Sequence, residues 1–205
     1  MSSKKRVFIY GGTFSPPHIG HVNVAKAIER EENPDELLII PTFISPHKEQ
    51  CNDATPEQRL EMCRLAFSDI SCARVSDMEI ARKGKSYTFY TISELYDENT
   101  ELTLVCGTDM ILSFDRWYRF DEIFKMTAIA YIRREKEDEI SRQICKKAQG
   151  YRDKYNARVK EITLDVIEMS SSEIREKIKC GEDVSYYLTD SVKDYIEKRK
   201  IYCNE

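Results

Sequence analysis

A doubly wound α/β sheet is the fold this sequence predicts, and three observations predict it. Short apolar runs stand at Val7–Tyr10, Leu37–Ile40, Leu102–Cys106 and Ala128–Ile132. Runs that are apolar at nearly every position suit strands buried on both faces, as in a parallel sheet. Amphipathic helical patterns separate them, so strand and helix alternate along the chain. The residues that do not serve a core fall just after strand ends, at 11–21, 41–48, 107–118, 133–134 and 170–175. In such sheets ligands bind outside the carboxyl ends of the strands, at the switch point.

The elements follow in order. After Val7–Tyr10, Gly11 and Gly12 end the strand and let backbone approach a ligand, and Pro16 and Pro17 fix the turn. A helix begins near His18 and carries Val22, Ala25 and Ile28 on one side. Its first amides are expected to face an anion. Leu37–Ile40 is the second strand, and 41–54 a loop. Thr55 caps the next helix, with Pro56 at its first position and Gln58 three after the cap. Ala73–Ile80 alternates and reads as a third strand. Ser86 is a plausible cap for a helix carrying Phe89, Ile92 and Leu95. Leu102–Cys106 runs into Gly107-Thr108-Asp109, and a short helix and Arg116-Trp117-Tyr118 follow. A helix near Asp121–Lys125 precedes the strand Ala128–Ile132. Residues 135–149 read as a charged, solvated helix, and 159–166 as a sixth strand. Ser170, Ser171 and Ser172 are candidate caps for a helix that stops at Gly181, and a last helix spans about 190–199.

Composition bounds the function. One domain over 1–205 is expected, with a small helical part at about 170–205. A hydrophobic share of 41% supports a core, and no apolar run reaches the roughly 20 residues that span a bilayer. Met1–Arg6 is basic, but about four apolar residues follow before the glycines, too few for a signal peptide. A net charge of −4 argues against a general nucleic-acid binder. Seven cysteines, none in Cys-x-x-Cys, read as reduced thiols of a cytoplasmic protein. Gly-x-Gly-x-x-Gly is absent after the first strand, which disfavours a dehydrogenase.

Gly11-Gly12-Thr13-Phe14-Ser15-Pro16-Pro17-His18-Ile19-Gly20-His21 resembles the His-x-Gly-His signature of the nucleotidylyltransferase superfamily. Further landmarks look like those of the bacterial nicotinate-mononucleotide adenylyltransferases. They are Pro41 to Pro46-His47-Lys48, Lys85-Ser86-Tyr87-Thr88, Gly107-Thr108-Asp109, Trp117 and Ser170-Ser171-Ser172-Glu173-Ile174-Arg175. They span nearly the whole chain in the family's order. Two departures stand out. The family's late Ile-Ser-Ser-Thr-x-Ile-Arg is here Met169 to Arg175 with Ser172 for threonine, which keeps the hydroxyl. Its Arg-Pro-Gly after strand five is here Arg133-Arg134-Glu135.

The resemblance implies a Rossmann-like sheet and adenylyl transfer from ATP to nicotinate mononucleotide. An already ionised phosphate is the nucleophile, so the protein supplies position and charge. His18, His21, Lys48 and Arg175 are then the catalytic set, acting on the phosphates. Gly11, Gly12, Thr13, Phe14, Gly107, Asp109, Ser171, Ser172 and Ile174 are expected at the nucleotide. Ser86, Tyr87, Thr88, Trp117, Tyr118 and Arg134 are expected at the acceptor, Trp117 by stacking on its ring. Phosphate proximity should favour protonated imidazoles. Magnesium is expected with ATP, with few protein ligands. Neither nucleic acid nor membrane is expected as a partner. Residues 183–203, with Tyr186, Tyr187 and Tyr195, could contribute a homo-oligomer interface. The competing readings are another His-x-Gly-His enzyme, such as a phosphopantetheine adenylyltransferase or a cytidylyltransferase, and a non-catalytic nucleotide-binding regulator.

Overall fold

The structure is a computed structural model that describes residues 4–46, 54–133, 138–163 and 169–203. Strands β1 (Lys5–Gly12), β2 (Glu36–Pro41), β3 (Ala73–Val75), β4 (Thr100–Gly107), β5 (Thr127–Arg133) and β6 (Val159–Thr163) form one sheet. Their order is β3-β2-β1-β4-β5-β6, and every pairing is parallel. The chain winds outward from β1 to β3, then crosses back and continues through β4. The switch point therefore lies between the carboxyl ends of β1 and β4, where Tyr10 pairs with Val105.

The helices are α1 (Ile19–Glu32), α2 (Pro56–Ala66), α3 (Met78–Arg82), α4 (Thr88–Leu95), α5 (Thr108–Ser113), α6 (Phe120–Met126), α7 (Asp138–Tyr155), α8 (Ser171–Lys179) and α9 (Asp190–Arg199). Alternation along β1 sorts the core into two layers. Phe8 and Tyr10 face Val22 and Ile28 of α1, Met62 and Cys63 of α2, Ile174 of α8 and Val192 of α9. Val7 and Ile9 face the opposite layer, built from Ile92, Ile111, Ile123, Phe124 and Ile144 of α4 to α7. Both faces are thus covered by helices, as the continuous apolar runs predict.

Local signals account for several helix ends. Thr55 Oγ1 accepts from Gln58 N–H at 3.2 Å, and Gln58 Oε1 accepts from Thr55 N–H at 2.8 Å. This is the reciprocal cap read from the sequence. Among the three late serines, Ser170 is the cap and Glu173 its partner. Gly181, at φ +71°, lies just past the end of α8.

Three expectations are corrected. The strand expected over Ala73–Ile80 ends at Val75, and Met78–Arg82 is helical. Alternation over so few residues does not separate strand from helix. The helical turn brings Glu79 inward, where it accepts the Thr91 hydroxyl at 2.5 Å. The helix expected at 135–149 as a solvated element runs Asp138–Tyr155 and buries Ile144, Ala148 and Tyr151, spaced four and three apart. Ser86 is not a helix cap. Tyr87 holds that position, and the Ser86 hydroxyl accepts from Phe43 N–H at 2.9 Å instead.

Candidate active site

The loop after β1 is the floor of the site. A Cβ on Gly12 would lie 3.0 Å from the Phe14 ring, a tight approach to which the ring would have to yield. That ring is fixed by edge contacts to Tyr10, Phe67 and His21. Phe14 is 2% exposed, so the structure makes its ring core and leaves only its backbone for a nucleotide. His18 precedes α1 as its cap and is buried, while His21 is half-buried. Their rings lie 3.8 Å apart between centroids. His21 Nδ1 accepts from His18 N–H at 3.2 Å. In this arrangement the His21 ring proton sits on Nε2, which is then a donor.

The expectation of open amides at the start of α1 also needs correction. Ile19 N–H donates to Tyr187 O at 2.9 Å, and His21 and Val22 N–H both donate to His18 O. The side chains, more than the first amides, carry this helix start's capacity for an anion.

Distant segments converge on the same loop. Arg175 Nη1 donates to Ser15 O at 2.8 Å, and its Nη2 to Ser172 Oγ at 3.2 Å. Ser171 Oγ donates to Pro16 O at 2.9 Å. Arg175 and Ser171 thereby meet the histidine loop, and Ser172 meets Arg175. Ile174 does not join them. It is fully buried, and its N–H donates to Ser170 O.

Sequence reading missed three contributors. Arg59, on α2 and 4% exposed, donates to Thr13 O at 2.8 Å and Phe43 O at 3.1 Å. Tyr202 hydrogen-bonds Ser15 through the two hydroxyls at 3.0 Å, and Tyr187 supplies the carbonyl that holds Ile19. A signal for Arg59 existed: it lies four before Cys63, on the apolar face of its helix. Nothing local marks the two tyrosines.

The acceptor side is stitched to the same floor. Thr42 N–H donates to Gly12 O at 2.9 Å, and Ser86 N–H to Ile44 O at 2.9 Å. Tyr87 and Tyr118 rings meet at 5.2 Å, which joins the start of α4 to the segment after α5. Thr88 is the first residue of α4. Trp117 is half-buried with one face stacked on Phe114 at 4.7 Å. Gly107 caps α5 beside β1's neighbour β4, and a Cβ on it would lie 2.8 Å from Asp109 Oδ1. Lys48, His47 and Arg134 lie outside the described residues.

These groups are cations and neutral donors without an activated nucleophile. The Cys63 and Cys106 thiols nearby are fully buried, and burial pushes both well above the ordinary thiol range. A thiol held neutral neither attacks nor ligates. The arrangement can hold polyphosphate and stabilise charge developing on it.

Residues 9–177 match the family described as cytidylyltransferase-like. The chain is 32% identical to the probable nicotinate-nucleotide adenylyltransferase of Oceanobacillus iheyensis over 97% of both chains. It is 34% identical to the protein of the same name from Hydrogenobaculum, covering 96% of this chain and 97% of that one. The fold is similar to that of Plasmodium falciparum nicotinic acid mononucleotide adenylyltransferase complexed with NaAD. There the TM-score is 0.73 at 19% identity, over 97% of each chain.

Proposed function

We infer, from a chain that belongs to the cytidylyltransferase-like family and whose full-length relatives are named nicotinate-nucleotide adenylyltransferases, that it transfers the adenylyl group of ATP to nicotinate mononucleotide. The products are deamido-NAD and pyrophosphate. The observation that carries this reading is the Arg175–Ser15 hydrogen bond, which joins the late basic residue to the histidine loop at the sheet's switch point.

The acceptor's 5′-phosphate oxygen attacks the α-phosphorus. A new P–O bond forms as the bond to the β-phosphate bridging oxygen breaks, and pyrophosphate leaves with the electron pair. The acceptor is already anionic, so no base is needed. His21 Nε2–H and His18 donate to the phosphates, and Arg175 neutralises the departing pyrophosphate. Lys48 belongs to this set by resemblance. Gly107 and Asp109 take the adenylate ribose, while Thr88, Tyr118 and Trp117 take the nicotinate end. Magnesium enters the proposal on the nucleotide. Among the described residues the site offers histidines, hydroxyls and guanidinium groups beside the Asp109 carboxylate, a set suited to anions more than to an ion cage. The ion would supply positive charge that offsets the charge of the nucleotide's phosphates.

Among the described residues no helix is long and apolar enough to cross a membrane. Free cysteines at 63, 72, 106, 145, 180 and 203 support the cytoplasm as the compartment. Pyrophosphate release from ATP tests the function, with nicotinate mononucleotide, nicotinamide mononucleotide and phosphopantetheine offered separately. Nicotinate mononucleotide is expected to be used best. Equal or better use of phosphopantetheine, or ATP binding with no release for any acceptor, overturns the reading.

A further inference from the structure

Arg59 is the most enclosed arginine of the described carboxyl edge, and its surroundings are unusual for a cation. It is 4% exposed, and among the described residues it forms no ion pair. Burying a guanidinium without a carboxylate is costly unless its donors are satisfied. Here they are satisfied by two main-chain carbonyls from two different loops. One is Thr13 O, two residues before Ser15 in the histidine loop, and the other is Phe43 O after β2. Phe43 is also held at its other end, where its N–H donates to Ser86 Oγ. Phe14, which follows Thr13, sits at φ +50°, a region a bulky residue enters only when its neighbours force it.

We propose that Arg59 is a positioning residue for adenylyl transfer: its planar guanidinium sets the spacing between the loops after β1 and β2, and so the aim of the histidine loop at the α-phosphate. The proposal rests on the functional reading above. Two fixed donors on one rigid plane define a distance between carbonyls, which a lysine ammonium on a flexible stem does not. Carbonyl partners are neutral, so the full positive charge persists beneath the loop. Burial lowers the arginine's proton affinity, yet its pKa starts so high that the group stays charged.

The test compares Arg59→Met and Arg59→Lys with the parent chain, in steady-state pyrophosphate release at saturating ATP and nicotinate mononucleotide. Rates are expressed per folded molecule, with the folded fraction read by circular dichroism at the assay temperature. A misaimed loop is expected to lower kcat about 10–100-fold in Arg59→Met, since displacements near 1 Å cost about that much. Arg59→Lys is expected to fall between the two, with both KM values changed by less than about threefold, the pattern of lost alignment more than lost binding. Should Arg59→Met not fold, Arg59→Lys decides alone. A kcat per folded molecule within about twofold of the parent in the folded variants overturns the proposal, because a purely structural bond would change only the folded fraction. If the parent itself releases no pyrophosphate, the functional reading has failed, and amide hydrogen exchange judges Arg59. Exchange at Gly11–Phe14 at least about tenfold faster in the variant, with β4 still protected, supports the clamp, and unchanged exchange refutes it.

Discussion

The two edges of the sheet differ in how many of their cations meet carboxylates. At the amino edge a hollow of about 320 Å³ is bordered by Arg6, Glu101, Arg152, Arg158 and Lys160. Three of its cations pair with carboxylates: Lys160 with Glu32 at 2.5 Å, Arg6 with Glu32 at 3.4 Å and Arg158 with Glu101 at 3.2 Å, while Arg152 donates to Val159 O at 2.7 Å and to Gln149 Oε1 at 3.3 Å. At the carboxyl edge Arg59 and Arg175 donate to main-chain carbonyls of Thr13, Phe43 and Ser15. A carboxylate cancels a cation, whereas a carbonyl orients it and leaves its charge available. The lesson is that a concave, basic surface is not by itself an anion site. What the partners of the cations leave over decides that, and at the carboxyl edge Arg59 is held by carbonyls alone among its described hydrogen-bond partners.

The largest expected effect tests that edge directly. His21→Ala removes the Nε2–H donor and should lower kcat by about 10²–10³-fold or more, the usual cost of one such donor. Its melting temperature should shift little, because the ring is half-buried at the surface of the loop. A turnover within about tenfold of the parent would break the contrast. Arg175→Ala should come next, losing both the charge and the bond to Ser15 O, with kcat reduced about 10–100-fold and a smaller effect in Arg175→Lys. Equal losses in the two would show that geometry, not charge, is what Arg175 supplies.

A smaller effect is expected at Glu79, on the helix that follows β3. Burial raises its carboxyl above the ordinary range, against the hydrogen bonds from Thr91 and Ser86 and the charge of Arg82. The folded chain therefore holds this proton more tightly than the unfolded chain. Its contribution is present below the ordinary glutamate pKa and is lost as pH rises through the raised value. Glu79→Gln should flatten the pH dependence of the melting temperature over that interval, and an unchanged slope would refute the assignment. The smallest effect belongs to the amino edge. Arg158→Gln breaks an exposed pair and should cost at most about 0.5–1 kcal/mol, vanishing at high salt, with turnover unchanged. A loss of turnover there would erase the difference between the edges.

Legibility followed the range of the forces involved. The histidine turn, the Thr55 and Ser170 caps and the strand runs were readable because each depends on residues within a few positions. The wrong strand at Ala73–Ile80 shows the limit: so short an alternation does not fix a strand, and Glu79 instead meets Thr91, 12 positions away. The surface reading of the helix after β5 failed because residues 135–149 contain only part of α7, and Tyr151 anchors beyond that window by donating to Ile111 O.

By itself the sequence determined the alternating strands and helices, the parallel sheet and the edge on which the unusual residues gather. Apolar periodicity and the backbone limits of Gly and Pro act locally, so they need no fold to be read. Only the tertiary structure decided which groups hold the histidine loop. Arg59, Arg175 and Tyr202 reach it across 46, 160 and 187 positions of chain. Such bonds leave no periodic trace, since their geometry exists only once the sheet has brought the carboxyl ends of its strands together.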